Sequence, residues 1–524
     1  MPAASELERR TKRSKSRNKI SKPIANMLSV IAFSICISPI VYFLIRSIYY
    51  LVFHPLSDYP GPKLWAISRI PWNYVNLQGD LAWRIRDMHL HYNSSVIRIA
   101  PDELSYTSST ALKKIDGTPP PREFLKCLDG RGIAPAVVNR RRSIVTETPE
   151  RHTILRRALQ PAFSERALRD QEDFFRDHTD RLIAQLRKPQ YGVTEQNILR
   201  WFALLSFDIM SDLAFGQPAG CLDLVDEPWL GVIGSRVKSI VWYQFAVYYR
   251  IEWILKWIMP KAAMEARKRH QALTLQKVQR RIEEERSGKR EGKKRDFMSY
   301  ILGNDKENLS NMDLFGMASA FIVAGSNTTT YTMTAFTFFV CRDSEVYAKV
   351  IAEVRDKFAS DTDITMVAAG DLPYLKACIE ETMRLSPPTP SALPRWVLEG
   401  GEEIDGKWVP GGVTVGVHNL AACHVPWNWH RPLEFIPERW LQTKEGEFTH
   451  DDRALHARFL MVDIMSLTCF LSSMAMNEMR LALAKLFWNF DISLSRNSGN
   501  WWITQKSYLV WEKKPLMVTI KPRH

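Results

Sequence analysis

No CxxC pair occurs among the seven cysteines, which stand apart at positions 36, 127, 221, 341, 378, 423 and 469. That spacing offers neither a zinc site nor a disulfide framework, and an odd count leaves at least one thiol unpaired; a reducing compartment fits best. Acid is the scarcer charge, with 57 Asp and Glu against 71 Lys and Arg. The surplus gathers in Arg9–Lys22 and in Lys261–Arg295. The first stretch abuts an apolar run, where basic residues contact anionic headgroups. The second alternates with acids and apolar residues (Val278, Ile282, Glu283, Glu284) and reads as a solvated helix. Neither is laid out as a nucleic-acid surface, so no nucleic-acid partner is expected. Repeats at a fixed period are also missing, which excludes a solenoid. What is present, 45% hydrophobic and 24% charged residues over 524 positions, suffices for a large continuous core.

Two apolar runs approach membrane-spanning length. Met27–Ile45 is uncharged, Arg46 ends it, and Tyr49 and Tyr50 suit an interface. Pro39 is tolerated in such a helix, and no small-residue cleavage site follows before His54-Pro55, which argues against a signal peptide. The expected organisation is a basic tail at 1–26, a transmembrane anchor at 27–46, a Pro-rich linker at 47–62 and a globular body at 63–524. Prolines in Tyr59-Pro-Gly-Pro62 make the linker stiff and extended. The second run, Met312–Cys341, carries Gly325, Asn327 and Thr328–Thr330 at its centre; those groups are costly in hydrocarbon, so it reads as a buried core helix.

Helical periodicity also marks Glu150–Leu186 (interrupted at Pro161), Arg200–Phe215, Trp242–Met259 and Ala262–Glu285, with a Gly- and Lys-rich loop at Ser287–Lys294. Ser95–Ser105 alternates around Pro101 as a short hairpin. Asp405-Gly406 between Ile404 and Trp408 signals a second, and Ser507–Trp511 with Leu516–Ile520 suggests a third. The fold class is mostly α with a small β-rich lobe.

Three constellations can carry chemistry. Ala324-Gly-Ser-Asn-Thr-Thr-Thr330 lies on the long helix, where Gly325 and the hydroxyls could loosen a turn and seat a small ligand, or simply form a packing face. Glu381-Thr-Met-Arg384 puts carboxylate and guanidinium on one helix face, as many ordinary surface pairs do. Phe435-Ile-Pro-Glu-Arg-Trp440 brings Arg439, a possible third member of a buried triad with Glu381 and Arg384.

Taken in this order, the chain resembles the cytochrome P-450 family from about Tyr59 to Pro522, in the style of fungal microsomal members of secondary metabolism. The resemblance implies a cytochrome P-450 fold behind one N-terminal transmembrane helix, in the endoplasmic reticulum membrane, single-pass, with the body on the cytosolic side. The basic tail alone would by the positive-inside rule send the body to the lumen. It also implies a haem-dependent monooxygenase acting on a lipophilic small molecule. Haem iron takes one axial thiolate, and NADPH and flavins act only through a membrane flavoprotein reductase. Thr328 matches the threonine that helps protonate bound dioxygen, on the helix segment carrying Ala324 and Gly325. Asn327 stands where the family has an acid, and an amide cannot relay a proton as a carboxylic acid does. Glu381, Arg384 and Arg439 match the structural triad, and His152, Arg156 and Arg395 match groups that meet haem propionates.

The pattern breaks where the family is most regular, at Phe-x-x-Gly-x-Arg-x-Cys-x-Gly. Cys469 stands at the family's distance before Ala475–Arg480 and is the implied iron ligand, yet Met465, Leu467 and Leu471 replace the first Gly, the Arg and the last Gly. Glycine permits the tight turn that aims backbone N–H groups at a sulfur, and leucine cannot pair with a propionate. Cys469 as a buried structural thiol therefore competes with Cys469 as ligand, and an inactive relative, at most a membrane-tethered ligand binder, competes with an enzyme. Read one frame across, Met461-Val462 must encode Gly and Ala457–Leu460 can encode Pro-Phe-Ser, which resembles the start of the missing loop. A frameshift or misplaced splice boundary within 456–474 is thus a hypothesis, although the shifted frame yields no cysteine. Sequencing transcripts across codons 455–475 tests it: reads that keep the printed frame throughout dispose of the shift.

Overall fold

The computed structural model describes residues 27, 33, 37–117, 123–132, 144, 147–192, 194–224, 236–254, 261–289, 294–303, 309–441, 446–456 and 468–523. The basic tail, and residues 28–32 and 34–36 of the expected anchor at 27–46, lie outside these residues. Among those described, no helix is long and apolar enough to cross a membrane.

The architecture is mostly helical with small sheets at its side. Its axis is the helix Asn311–Arg342, buried along most of its length as its sequence, charged only near the ends, demands. Ser310 caps it in a reciprocal box: its hydroxyl accepts from the Asp313 amide (3.2 Å), and the Asp313 carboxylate accepts from the Ser310 amide (3.0 Å). Arg151 adds a 2.7 Å ion pair to the same carboxylate. Against this axis pack Ile198–Phe215, Pro373–Leu385 and Thr468–Asn489, all contributing to one large apolar core. The first part of the helix expected at Trp242–Met259 lies in Arg236–Tyr248; Arg250, at φ 57°, breaks it, residues 252–254 are helical again, and 255–259 lie outside the described residues.

The β-rich side holds a five-stranded sheet. Val96–Ala100 and Glu103–Tyr106 form the hairpin around Pro101, Thr414–Val417 runs parallel to the second, and Arg395–Trp396 and Leu125–Lys126 complete it. The linker is pinned to this sheet. Arg98 donates to the carbonyls of Tyr50 (2.8 Å) and Pro101 (2.7 Å), and its amide to that of Pro60 (2.7 Å). A Cβ on Gly61 would stand 2.2 Å from the Arg98 carbonyl, so only glycine admits that approach.

Glu402–Ile404 and Lys407–Val409 pair across Asp405 (φ 50°) and Gly406 (φ 74°). The hairpin expected between Ser507–Trp511 and Leu516–Ile520 does not form. Ser507–Tyr508 turns back on Val510–Trp511 through Leu509 (φ 79°), whereas Met517–Pro522 pairs with Phe490–Leu494 over five positions. The longer ladder satisfies more backbone groups than the internal pairing could, and alternation alone does not name a strand's partner.

One buried acid in this core has no counter-charge. Glu478, 1% exposed, accepts from the Ser206 hydroxyl (2.6 Å) through one oxygen, and its other oxygen has no partner among the described residues. Burial raises its pKa from 4.5 to about 7. The native state therefore keeps a proton that the unfolded chain releases, and stability falls as pH rises from about 4.5 through 7. The loss approaches roughly 3 kcal/mol at pH 8. Glu478→Gln is expected to flatten that dependence, measured as the thermal midpoint at pH 5 and pH 8 beside the parent chain.

Candidate active site

Three charged groups separated by up to 58 residues meet in the core. Glu381 receives Arg384 through two contacts of 2.9 Å, as their i,i+3 spacing on Pro373–Leu385 allows. It also receives Nε of Arg439 at 3.0 Å, the indole of Trp440 at 2.9 Å and the amide of Ile436 at 2.9 Å. Asp451, at 2.5 Å from Arg439, supplies a second negative charge, so two carboxylates balance two guanidiniums. The remaining guanidinium donors reach the carbonyls of Cys423, His430, Pro432 and Glu434. All four side chains are fully buried. Burial alone would raise the Glu381 carboxyl, but Arg384 and Arg439 hold it below the usual range.

The axial helix is not opened at its Thr-rich centre. Its hydroxyls bond carbonyls one turn back without breaking it: Thr328 to Ala324 (2.7 Å), Thr329 to Gly325 (2.6 Å), Thr332 to Thr328 (2.9 Å) and Thr334 to Thr330 (2.7 Å). Gly325 faces Met210 of Ile198–Phe215, where a Cβ would lie 2.6 Å from the sulfur. Its role here is close helix packing rather than loosening. The two motif faces then separate: Gly325, Ser326, Thr329 and Thr330 are buried, while Ser319, Ala320, Val323, Ala324, Asn327 and Thr328 remain partly uncovered. Together with Met312 and Gly316 these six recur at helical spacing as one partly uncovered stripe, with Val323 47% exposed. Thr328 donates its own proton within the helix, so its oxygen lone pairs remain to accept from a molecule on that stripe.

Basic residues collect near the start of Pro149–Leu159. The Nε2 of His152 is buried without a partner among the described residues. Burial first, then Lys126, Arg156 and Arg395, lowers its pKa to about 4. Lys126 lies opposite Arg395 in the sheet, and burial followed by Arg395 lowers it to about 8. Arg156 is exposed one turn beyond His152, and Arg395 pairs with Asp116 at 3.1 Å. A half-desolvated Lys126 ammonium and the Arg395 guanidinium beside a buried imidazole nitrogen suit a ligand that brings negative charge. Cys469 occupies the first turn of Thr468–Asn489, where the helix N-terminus favours a thiolate. Residues 457–467, with Met465 and Leu467, lie outside the described residues, as do the side chains of Cys469 and Leu471.

A family model for cytochrome P450 matches residues 130–460. The chain is 48% identical over 488 residues to the cytochrome P450 monooxygenase alt3 of Alternaria solani, covering 93% of each. The chain belongs to the cytochrome P450 family. It is also 35% identical to the monooxygenase astJ of Aspergillus oryzae (93% of this chain, 96% of that one). To an averantin hydroxylase of Dothistroma septosporum it is 34% identical (91% and 88%). The P450 cofactor is haem, its iron held by a thiolate, and electrons come from a redox partner. The basic groups around His152 are chemically suited to the propionates of that group.

Two members of these P450 clusters escaped the sequence. Asp451 carries no motif, and its only signal is charge balance, since one carboxylate cannot neutralise two buried arginines. Lys126 sits in a two-residue strand that periodicity cannot mark. Removing a single charge should reveal the coupling. Glu381→Gln is expected to cost about 3–5 kcal/mol, because it strands buried guanidinium charge. Chemical denaturation followed by tryptophan fluorescence reads this, with little change expected at the exposed Arg431–Glu434 pair as control.

Proposed function

We propose that this P450 is a haem-dependent monooxygenase that hydroxylates or otherwise oxidises a lipophilic small molecule in fungal secondary-metabolite biosynthesis. The observation that carries the reading is the uncovered stripe on the axial helix, which presents Thr328 and Asn327 from inside a closed core. When bound, haem supplies the iron and thiolate that activate dioxygen. Lys126, His152, Arg156 and Arg395 would hold it through its propionates. Val323 and Ala324 keep an apolar wall against the substrate, Thr328 holds a proton at Oγ1, and Asn327 lends a neutral amide in place of an acid. Cys469 would hold the iron.

Electrons come from NADPH through a membrane flavoprotein reductase, for which the basic surface is suited. The uncharged run at 27–45 and the exposed Phe33, Ile40, Val41, Phe43 and Leu44 support a single-pass anchor in the endoplasmic reticulum, with the body on the cytosolic side. Polyketide, terpenoid and alkaloid skeletons are all compatible with this reading.

A catalytically impaired relative is the second reading, favoured by Met465, Leu467 and Leu471 and by a family match that stops at residue 460, before Cys469. Such a chain would act at most as a membrane-tethered ligand binder. The reduced, carbon monoxide difference spectrum of this sequence in microsomes separates the two. A thiolate-type Soret band, lost in Cys469→Ala, is expected for the enzyme. Folded protein without a haem signal would establish the impaired reading.

A further inference from the structure

Resting on the P450 reading, one cation at the same stripe has no anion. Lys513 lies between the strands Val510–Trp511 and Met517–Pro522, with its backbone at φ 65°. Its ammonium donates to the amide oxygen of Asn327, the residue beside Thr328. Asn327 in turn donates from its nitrogen to the Val323 carbonyl (2.9 Å), which fixes the amide with its oxygen toward the lysine.

The segment that delivers Lys513 is firmly held. Trp511 is 1% exposed, stacks on Tyr331 of the axial helix at 5.7 Å, and donates its indole N–H to the Pro387 carbonyl at 2.7 Å. Tyr331 is one helical turn beyond Asn327, so the aromatic anchor and the lysine contact share a face. The neighbouring polar groups are all engaged elsewhere. Glu512 pairs with Lys238 (2.5 Å), and Lys514 donates to the Thr504 carbonyl (2.5 Å).

Among the described residues no carboxylate pairs with Lys513. Burial lowers its pKa to about 7, and no neighbouring charge raises it. An acid at position 327 would have neutralised it as an internal ion pair. An amide instead orients the ammonium and leaves its charge for something else.

We infer that Lys513, oriented by Asn327, is a specificity residue that binds an anionic oxygen of the substrate, so that this enzyme selects lipophilic acids over their neutral analogues. Ala320, Val323 and Ala324 of the stripe hold the skeleton and the lysine holds one carboxylate or ionised enol or phenol oxygen.

The test uses the full-length purified chain in neutral phosphatidylcholine nanodiscs, with empty nanodiscs as blank. Equilibrium binding of radiolabelled dodecanoate and of dodecan-1-ol is compared. The acid is expected to bind roughly tenfold or more tighter, the worth of a charge-assisted hydrogen bond. Lys513→Gln should bring the ratio to about one, Lys513→Arg should retain a preference, and Asn327→Asp, which gives the lysine a counter-ion, should reduce it. Equal affinities in the parent chain, no binding of the acid, or a ratio unchanged in Lys513→Gln would each overturn the inference. Haem content is measured on the same samples. Because radiolabel binding needs no haem signal, a chain without haem refutes the monooxygenase reading while the acid preference is still decided.

Discussion

Two guanidiniums placed in the core must be neutralised and hydrogen-bonded there or the core does not form, and this requirement organises the rest of the P450 body. Arg384 and Arg439 share Glu381, Asp451 completes the charge balance, and backbone carbonyls between Cys423 and Glu434 take the remaining donors. That stretch has little regular structure, so its carbonyls have few partners of their own. The arginines stand in for the missing ladder. They fasten an irregular segment to the rigid helix Pro373–Leu385, which itself packs on the axial helix. The interaction is weak evidence for net stability, because desolvation offsets much of the attraction, but it specifies a unique arrangement well.

The axial helix solves a different problem, how to carry many polar side chains through an apolar centre. Each Thr from 328 to 334 that is not aimed at a neighbouring helix returns its hydroxyl to the carbonyl one turn back; Thr330 reaches the Phe202 carbonyl instead. Hydroxyls satisfied this way cost little to bury, and a helix made of them need not be interrupted to hold a polar ligand. Close packing at Gly325 against Met210 draws the buried face inward, and the opposite stripe stays uncovered.

Local chemistry was the legible part of the sequence. Asp405-Gly406 forced its turn through two positive φ values, the apolar run at 312–341 gave the axial helix to within one residue at each end, and i,i+3 spacing gave the Glu381–Arg384 pair. Tertiary choices were not legible. Asp451, Lys126 and Lys513 carry no periodic or motif signal, since each matters only for what the fold sets beside it. The strand Met517–Pro522 could pair with either of two segments, and only the length of the available ladder decides between them. A glycine amid threonines reads equally as a loosened turn or a close contact until the facing helix is known.

Asn327 illustrates why a departure from a family pattern has to be judged with its neighbours. Taken alone, an amide where relatives use an acid looks like a lost proton relay. Beside Lys513 it has a different meaning, because an aspartate there would lie within hydrogen-bonding reach of a desolvated ammonium and would be held ionised and paired. Such a carboxylate could not exchange protons freely near neutral pH. Restoring the acid without removing the lysine would therefore restore no relay, and the two residues make chemical sense only as a pair. The altered positions around Cys469 allow no such compensation from Lys513, since a leucine in place of an arginine removes a charge that Lys126 and Arg395 would have to supply.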